Sequence, residues 1–155
     1  MDDPQDLAEA ISEAACAGGR RIAVVESLTG GLVSSDLAAS SGSSEWFRGG
    51  VVAYDRVTKH GVLQVPDGPV VAEPAVRAMV DQAAKMFDAD LVVGVSGAGG
   101  PDPQDDQPPG TVWLAVVDHG ETTSWVCEFP GEPPEVLKST RTEALRALRS
   151  HLRPT

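Results

Sequence analysis

A chain of 155 residues, 41% apolar and 23% charged, has room for one globular core and is too apolar to be disordered. Its formal charge of −11, from 12 basic and 23 acidic side chains with no basic run, argues against DNA or RNA as a partner, although a local basic pocket for one small anion is compatible with it. Cys16 and Cys127 lack CxxC or Cys/His spacing, which excludes a disulfide framework and a zinc motif, and no apolar run reaches transmembrane length.

The opening "MDDPQDLAEA" is acidic and lacks a charged-then-apolar leader pattern, so the expected compartment is the cytosol. Leu7, Ile11, Ala14 and Ala15 recur at helical spacing, which predicts a helix over residues 4 to 17 ended by Gly18-Gly19. "RIAVVES" then reads as a buried strand, short and rich in β-branched residues. A second helix is expected from about Gly30 to Ser40, with Leu32, Val33 and Leu37 inward. "GSSEWFRGGVVAY" begins as a polar turn and becomes a strand through Gly50 to Tyr54, followed by a short helix over Arg56 to Leu63. "QVPDGPVV" is a loop, and Val76, Met79, Val80, Ala83 and Phe87 share one face of a helix starting near Glu73. "DLVVGVSG" is a third buried strand. "TVWLAVVD" and "TTSWVCEF" form a hairpin across His119-Gly120, and Leu137, Ala144, Leu145 and Leu148 mark a last helix. Strands alternating with helices predict a layered α/β domain, parallel early and antiparallel late. The one long irregular stretch, residues 97 to 110, is of the kind that is usually functional in compact domains.

In open α/β sheets, ligands collect at the carboxyl ends of strands. Ser27, Tyr54 and Ser96 each follow or end a predicted strand, beside a turn or a glycine. If the second helix starts at Thr29 or Gly30, its free N–H groups and dipole favour an anion beside Ser27, and Gly30 and Gly31 let a ligand approach the backbone. That arrangement suits a phosphate or the oxyanion of acyl transfer. The same residues also read as a plain N-cap, for which Ser27 and Thr29 are both favoured types. Lys59 reads either as a solvated surface charge or as a base. To serve as a base near neutral pH, its ordinary pKa of about 10.4 must fall by roughly three units, about 4 kcal/mol, which a dry cleft can supply. His60, His119 and His151 form no readable Ser-His-Asp arrangement, so lysine is the better base for Ser27.

"ESLTGG", "GSSEWFRGGVVAYDRVTK", "VSGAGGP" and "PPGTVWLA", in this order from about residue 5 to 150, resemble the signatures of the CinA C-terminal domain family, the bacterial nicotinamide-nucleotide amidases. The resemblance implies a three-layer α/β/α sandwich with a mixed, mostly parallel β-sheet. It implies hydrolysis of nicotinamide mononucleotide to nicotinic acid mononucleotide and ammonia by a Ser-Lys dyad without a cofactor. The matching positions are Ser27 as nucleophile, Lys59 as base and Tyr54 to assist or orient, with the oxyanion on N–H groups around Thr29 and Gly30. Gly31, Ser44 and Ser96 fall on polar or close-approach positions of the site. Gly97, Gly99 and Gly100 belong to the loop expected to line the nucleotide, and Lys138 or Arg141 is expected to hold its phosphate. The partners implied are the small nucleotide and further copies of the chain. Multidomain relatives add an N-terminal pyrophosphatase-type domain, and residues 1 to 155 are expected to act as a single amidase-like domain without it.

This chain departs from the family pattern in four ways, one being that only Lys138 and Arg141 lie near the position of an arginine that the family places at the start of the last helix. Leu28 replaces a cysteine; Asp102, Asp105 and Asp106 make the nucleotide loop acidic; and Pro133-Pro134 replaces a stretch that is often basic. The alternatives to catalysis are a silent nucleotide-binding module and a protein-interaction module.

Overall fold

The computed structural model describes residues 2–152. In chain order the elements are α1 (Pro4–Gly18), β1 (Ile22–Glu26), α2 (Leu32–Ala39), a single 3-10 turn (Ser43–Glu45), β2 (Phe47–Val52), α3 (Arg56–Gly61), α4 (Glu73–Phe87), β3 (Leu91–Gly97), β4 (Thr111–Asp118), β5 (Glu121–Glu128) and α5 (Pro133–Leu152). Five strands form one mixed sheet in the order β2-β1-β3-β4-β5. β1 runs parallel to both β2 and β3, while β3, β4 and β5 pair antiparallel.

The layers follow from side-chain alternation. In β1, Ile22 and Val24 face a core shared with Leu7, Ile11 and Ala15 of α1 and with Ala144, Leu145 and Leu148 of α5. Ala23 and Val25 face the other core, covered by Val76, Met79, Val80 and Ala83 of α4. A strand buried on both faces needs an unbroken apolar run, which is why "IAVV" reads continuously rather than alternating. The three-layer expectation therefore holds.

Local chemistry sets most boundaries where the sequence places them. Asp3 caps α1 through its Oδ1, which accepts from the N–H of Gln5 and Asp6, and Gly19 ends the helix in the left-handed region at φ 61°. Several boundaries move, among them the end of α3, which stops at Gly61 rather than Leu63. β2 begins at Phe47, paired with Ile22, and stops at Val52, so Tyr54 lies beyond the strand in the turn to α3. α2 begins at Leu32 rather than Gly30, because Gly30 and Gly31 adopt φ of 60° and 111° in the turn before it.

α2 also lies unusually close to the sheet. A Cβ on Gly50 would fall 2.4 Å from Ser34 Oγ and 2.9 Å from Val24 Cγ2, so a glycine in β2 lets the helix rest on the strand backbone.

Candidate active site

The carboxyl ends of β1 and β3 open into a cleft of about 320 Å³. Ser27, Tyr54, Gly97, Gly99 and Gly100 line it, together with the Pro101–Gln104 stretch and the α5 residues Pro133 and Leu137. Leu28, at the position that departs from the family pattern, is also part of the lining.

The turn that presents Ser27 is organised by the residue before it. Glu26 is buried, and its carboxylate accepts five hydrogen bonds. Oε1 takes the Thr29 hydroxyl at 2.6 Å and the N–H groups of Gly31 at 3.2 Å and Val33 at 3.0 Å. Oε2 takes the Ser34 N–H at 2.8 Å and its hydroxyl at 2.7 Å. A carboxylate at a helix N-terminus meets both the dipole and the orphan donors there.

This corrects the sequence expectation. The start of α2 is filled by the protein's own anion and does not face a ligand, and neither Ser27 nor Thr29 is the N-cap, which is Gly31. Thr29 is buried with its hydroxyl on Glu26, so its side chain is not a substrate contact. The Gly30 N–H is donated to the Ser27 carbonyl at 3.1 Å, which removes it from the expected oxyanion pair. The N–H groups of Leu28 and Thr29 carry no hydrogen bond among the described residues.

Lys59 is no surface charge: it is 1% exposed on α3. Burial holds its amine below its ordinary pKa. Asp105 and Asp55 pull the other way by favouring the ammonium, and Arg56 adds to the depression. Among the described residues its one hydrogen bond goes to the Tyr54 carbonyl at 3.3 Å, so Ser27 and Lys59 are not hydrogen-bonded in this structure. Tyr54 thus reaches Lys59 through its backbone, while the residue itself, 71% exposed, lines the cleft.

Ser96 is buried and donates to the Val70 carbonyl at 2.6 Å, which ties β3 to the segment before α4 rather than to a ligand. In the 97–110 loop, the Gln104 and Gln107 backbones bond each other around Asp105 and Asp106, at φ of 52° and 61°. Of the three acidic residues there, Asp102 lines the cleft. Asp105 instead turns away to Arg56 at 2.5 Å.

The remaining expected contacts are not brought together. Ser44 is exposed on the 3-10 turn that precedes β2, at the amino end of the parallel strands, whereas Ser27 follows β1 at their carboxyl end. Arg141 is committed to Asp36 through two 2.5 Å bonds, which keep its guanidinium pKa above its ordinary value. Lys138 is exposed one residue past Leu137, and among the described residues no basic side chain belongs to the cleft lining itself. The sequence assigns no site role to Glu26, Asp105 or Leu137. The first had a signal, an acid before a hydroxyl and a double glycine; the second had none short of its long-range partners.

The chain matches the CinA C-terminal domain family model over residues 4–152. It is 34% identical to the nicotinamide-nucleotide amidohydrolase PncC of Shigella flexneri, over 92% of this chain and 90% of that protein. It is also 34% identical to a CinA-like protein of Citrifermentans bemidjiense, over 97% of this chain and 38% of that protein, so it spans well under half the length of such relatives. A crystal structure of a competence-damaged protein (CinA) superfamily protein from Klebsiella pneumoniae superimposes with a TM-score of 0.93 at 29% identity, covering 97% of this chain and 98% of that one.

Proposed function

This chain belongs to the CinA C-terminal domain family, and on that premise we propose that it is an amidohydrolase converting nicotinamide mononucleotide to nicotinic acid mononucleotide and ammonia. The observation that carries the proposal is a serine hydroxyl in a cleft beside the turn to α3, whose buried lysine is depressed in basicity. Burial that lowers the basicity of an amine moves it toward the neutral base that a Ser-Lys dyad requires.

In this mechanism Lys59 swings from the Tyr54 carbonyl to Ser27 and takes its proton. Ser27 Oγ bonds to the carboxamide carbon, and the oxyanion is held by the unengaged N–H groups of Leu28 and Thr29. The ammonium of Lys59 returns the proton to the leaving nitrogen as the C–N bond breaks. Water, deprotonated by Lys59, then attacks the ester carbonyl, and the Lys59 ammonium returns the proton to Ser27 Oγ as the C–O bond breaks and the acid leaves. Lys138, exposed on α5 next in sequence to the cleft-lining Leu137, takes the nucleotide phosphate in place of Arg141. The single amidase domain of residues 1–155 works in the cytosol without a cofactor, on a small nucleotide, as a homo-oligomer.

The test is ammonia release from nicotinamide mononucleotide by wild type, Ser27→Ala and Lys59→Ala, with folding checked by circular dichroism. Turnover in wild type alone supports the dyad; substantial turnover in either variant removes it. A nucleotide-binding module without turnover is the second reading, favoured by the 3.3 Å bond that holds Lys59 on the Tyr54 carbonyl. Calorimetric binding without ammonia release would select it.

A further inference from the structure

The acidic loop over residues 101–106 is the feature that the proposed reaction leaves unexplained. A carboxylate close to a nucleotide phosphate is unfavourable, and Asp102 is the one that lines the cleft. Asp105 is not among the residues lining the cleft, and its side chain is 9% exposed. Its Oδ1 accepts from Arg56 Nη2 at 2.5 Å, and its Oδ2 accepts from the N–H groups of Val70 at 2.9 Å and Val71 at 3.0 Å. Arg56 in turn donates through Nη1 to the Gly68 carbonyl at 2.8 Å. One carboxylate therefore ties three segments together: the loop that walls the cleft, the stretch before α4, and α3, on which Lys59 stands three residues beyond Arg56.

We propose that Asp105 is a positioning residue for Lys59, fixing the cleft loop to the lysine-bearing helix and placing a negative charge across from the buried amine. The inference rests on the reading of Lys59 as the base. Asp105 has the chemistry for it. Burial opposes its ionisation, but the Val71 N–H, the Arg56 guanidinium and the Val70 N–H outweigh that and hold its carboxyl below the usual carboxylate range, so it is an anion at any pH where the lysine titrates. The other charges acting on Lys59 are Arg56 and Asp55 of its own segment, and His60 directs its Nδ1 to the Val65 carbonyl at 2.7 Å. Asp105 and Arg56 form a pair whose two charges push the amine in opposite directions. Lys59 makes no ion pair of its own with either among the described residues.

A purely structural clamp and an electrostatic one differ in sign. Loosening the loop admits water to Lys59 and raises its pKa toward 10.5, its ordinary value. Removing the Asp105 charge with the loop in place lowers it further. The experiment is the pH dependence of kcat/KM for ammonia release in wild type and Asp105→Asn. It is joined by an NMR titration of the Lys59 side chain in the full chain, its resonance assigned by its loss in Lys59→Ala. The expected result is a downward shift of about half a pH unit or more in both readouts. An unchanged or upward titration overturns the proposal. Asp105→Ser, which keeps an oxygen for the Val70 and Val71 N–H groups, carries the same expectation should the asparagine variant not fold. If Lys59→Ala retains turnover, the base assignment fails in that sample, while the NMR titration still decides what Asp105 does to the amine.

Discussion

Replacing Glu26 by alanine leaves the N–H groups of Gly31, Val33 and Ser34 without an acceptor at the first turn of α2. It also strips two hydroxyls, Thr29 and Ser34, of theirs. Hydroxyls can rotate to other partners; backbone donors in a docked helix cannot. Each orphaned buried N–H costs about 1–3 kcal/mol. Water entering the vacated space recovers part of that sum, so the expected loss is about 3–5 kcal/mol, a large share of the roughly 5–15 kcal/mol that folded domains hold. Glu26→Gln keeps one oxygen but turns an amide toward the Ser34 N–H and hydroxyl, and should lose about 1.5–3 kcal/mol. Urea unfolding measures both, as a lower midpoint at an unchanged slope. At about 2–4 °C per kcal/mol for a chain of this size, the alanine variant should melt roughly 10 °C lower. A loss below about 1 kcal/mol for Glu26→Ala would show that the carboxylate does not hold the turn, and the account of how Ser27 is presented would fall with it.

Lys59 makes stability depend on pH with a definite sign. Its folded pKa lies below 10.5, so between that lowered value and 10.5 the unfolded chain holds a proton that the native one has released. Stability therefore rises with pH across this window, by up to about 1.4 kcal/mol per unit, and the charging penalty is present in full below it. Lys59→Met should be the more stable protein at neutral pH and lack this rise. Identical pH–stability curves for the two proteins would contradict the burial argument. Arg141 should behave as a structural residue: Arg141→Ala and Asp36→Ala each lose about 1.5–3 kcal/mol, the double variant little more than either. KM for the nucleotide should stay within about two-fold in Arg141→Ala, and a large rise would return the phosphate to Arg141.

Much of this protein is written locally. A buried run such as "IAVV" between a glycine end and a hydroxyl, a 3.6-residue apolar period in α4, and a cap such as Asp3 depend on neighbours a few positions away, so strand, helix and boundary are legible from the residues alone. The family motifs marked Ser27 and Lys59, and local pattern placed Ser27 at a strand end. What local pattern does not carry is the partner of each polar side chain. Glu26 follows four apolar residues and is five to eight positions from the backbone donors it gathers, and only the docking of α2 onto Gly50 closes that circle. Arg141 was open to a phosphate until a carboxylate 105 residues away claimed it, and Asp105 was an anomaly until Arg56, 49 residues away, turned it from the cleft. Lys59 on a six-residue helix has no sequence sign of burial, because the water it loses is displaced by segments folded over it from elsewhere. Periodicity fixes which backbone forms. Whether a charge meets solvent, a ligand or another charge is a property of distances that exist only once the layers are packed.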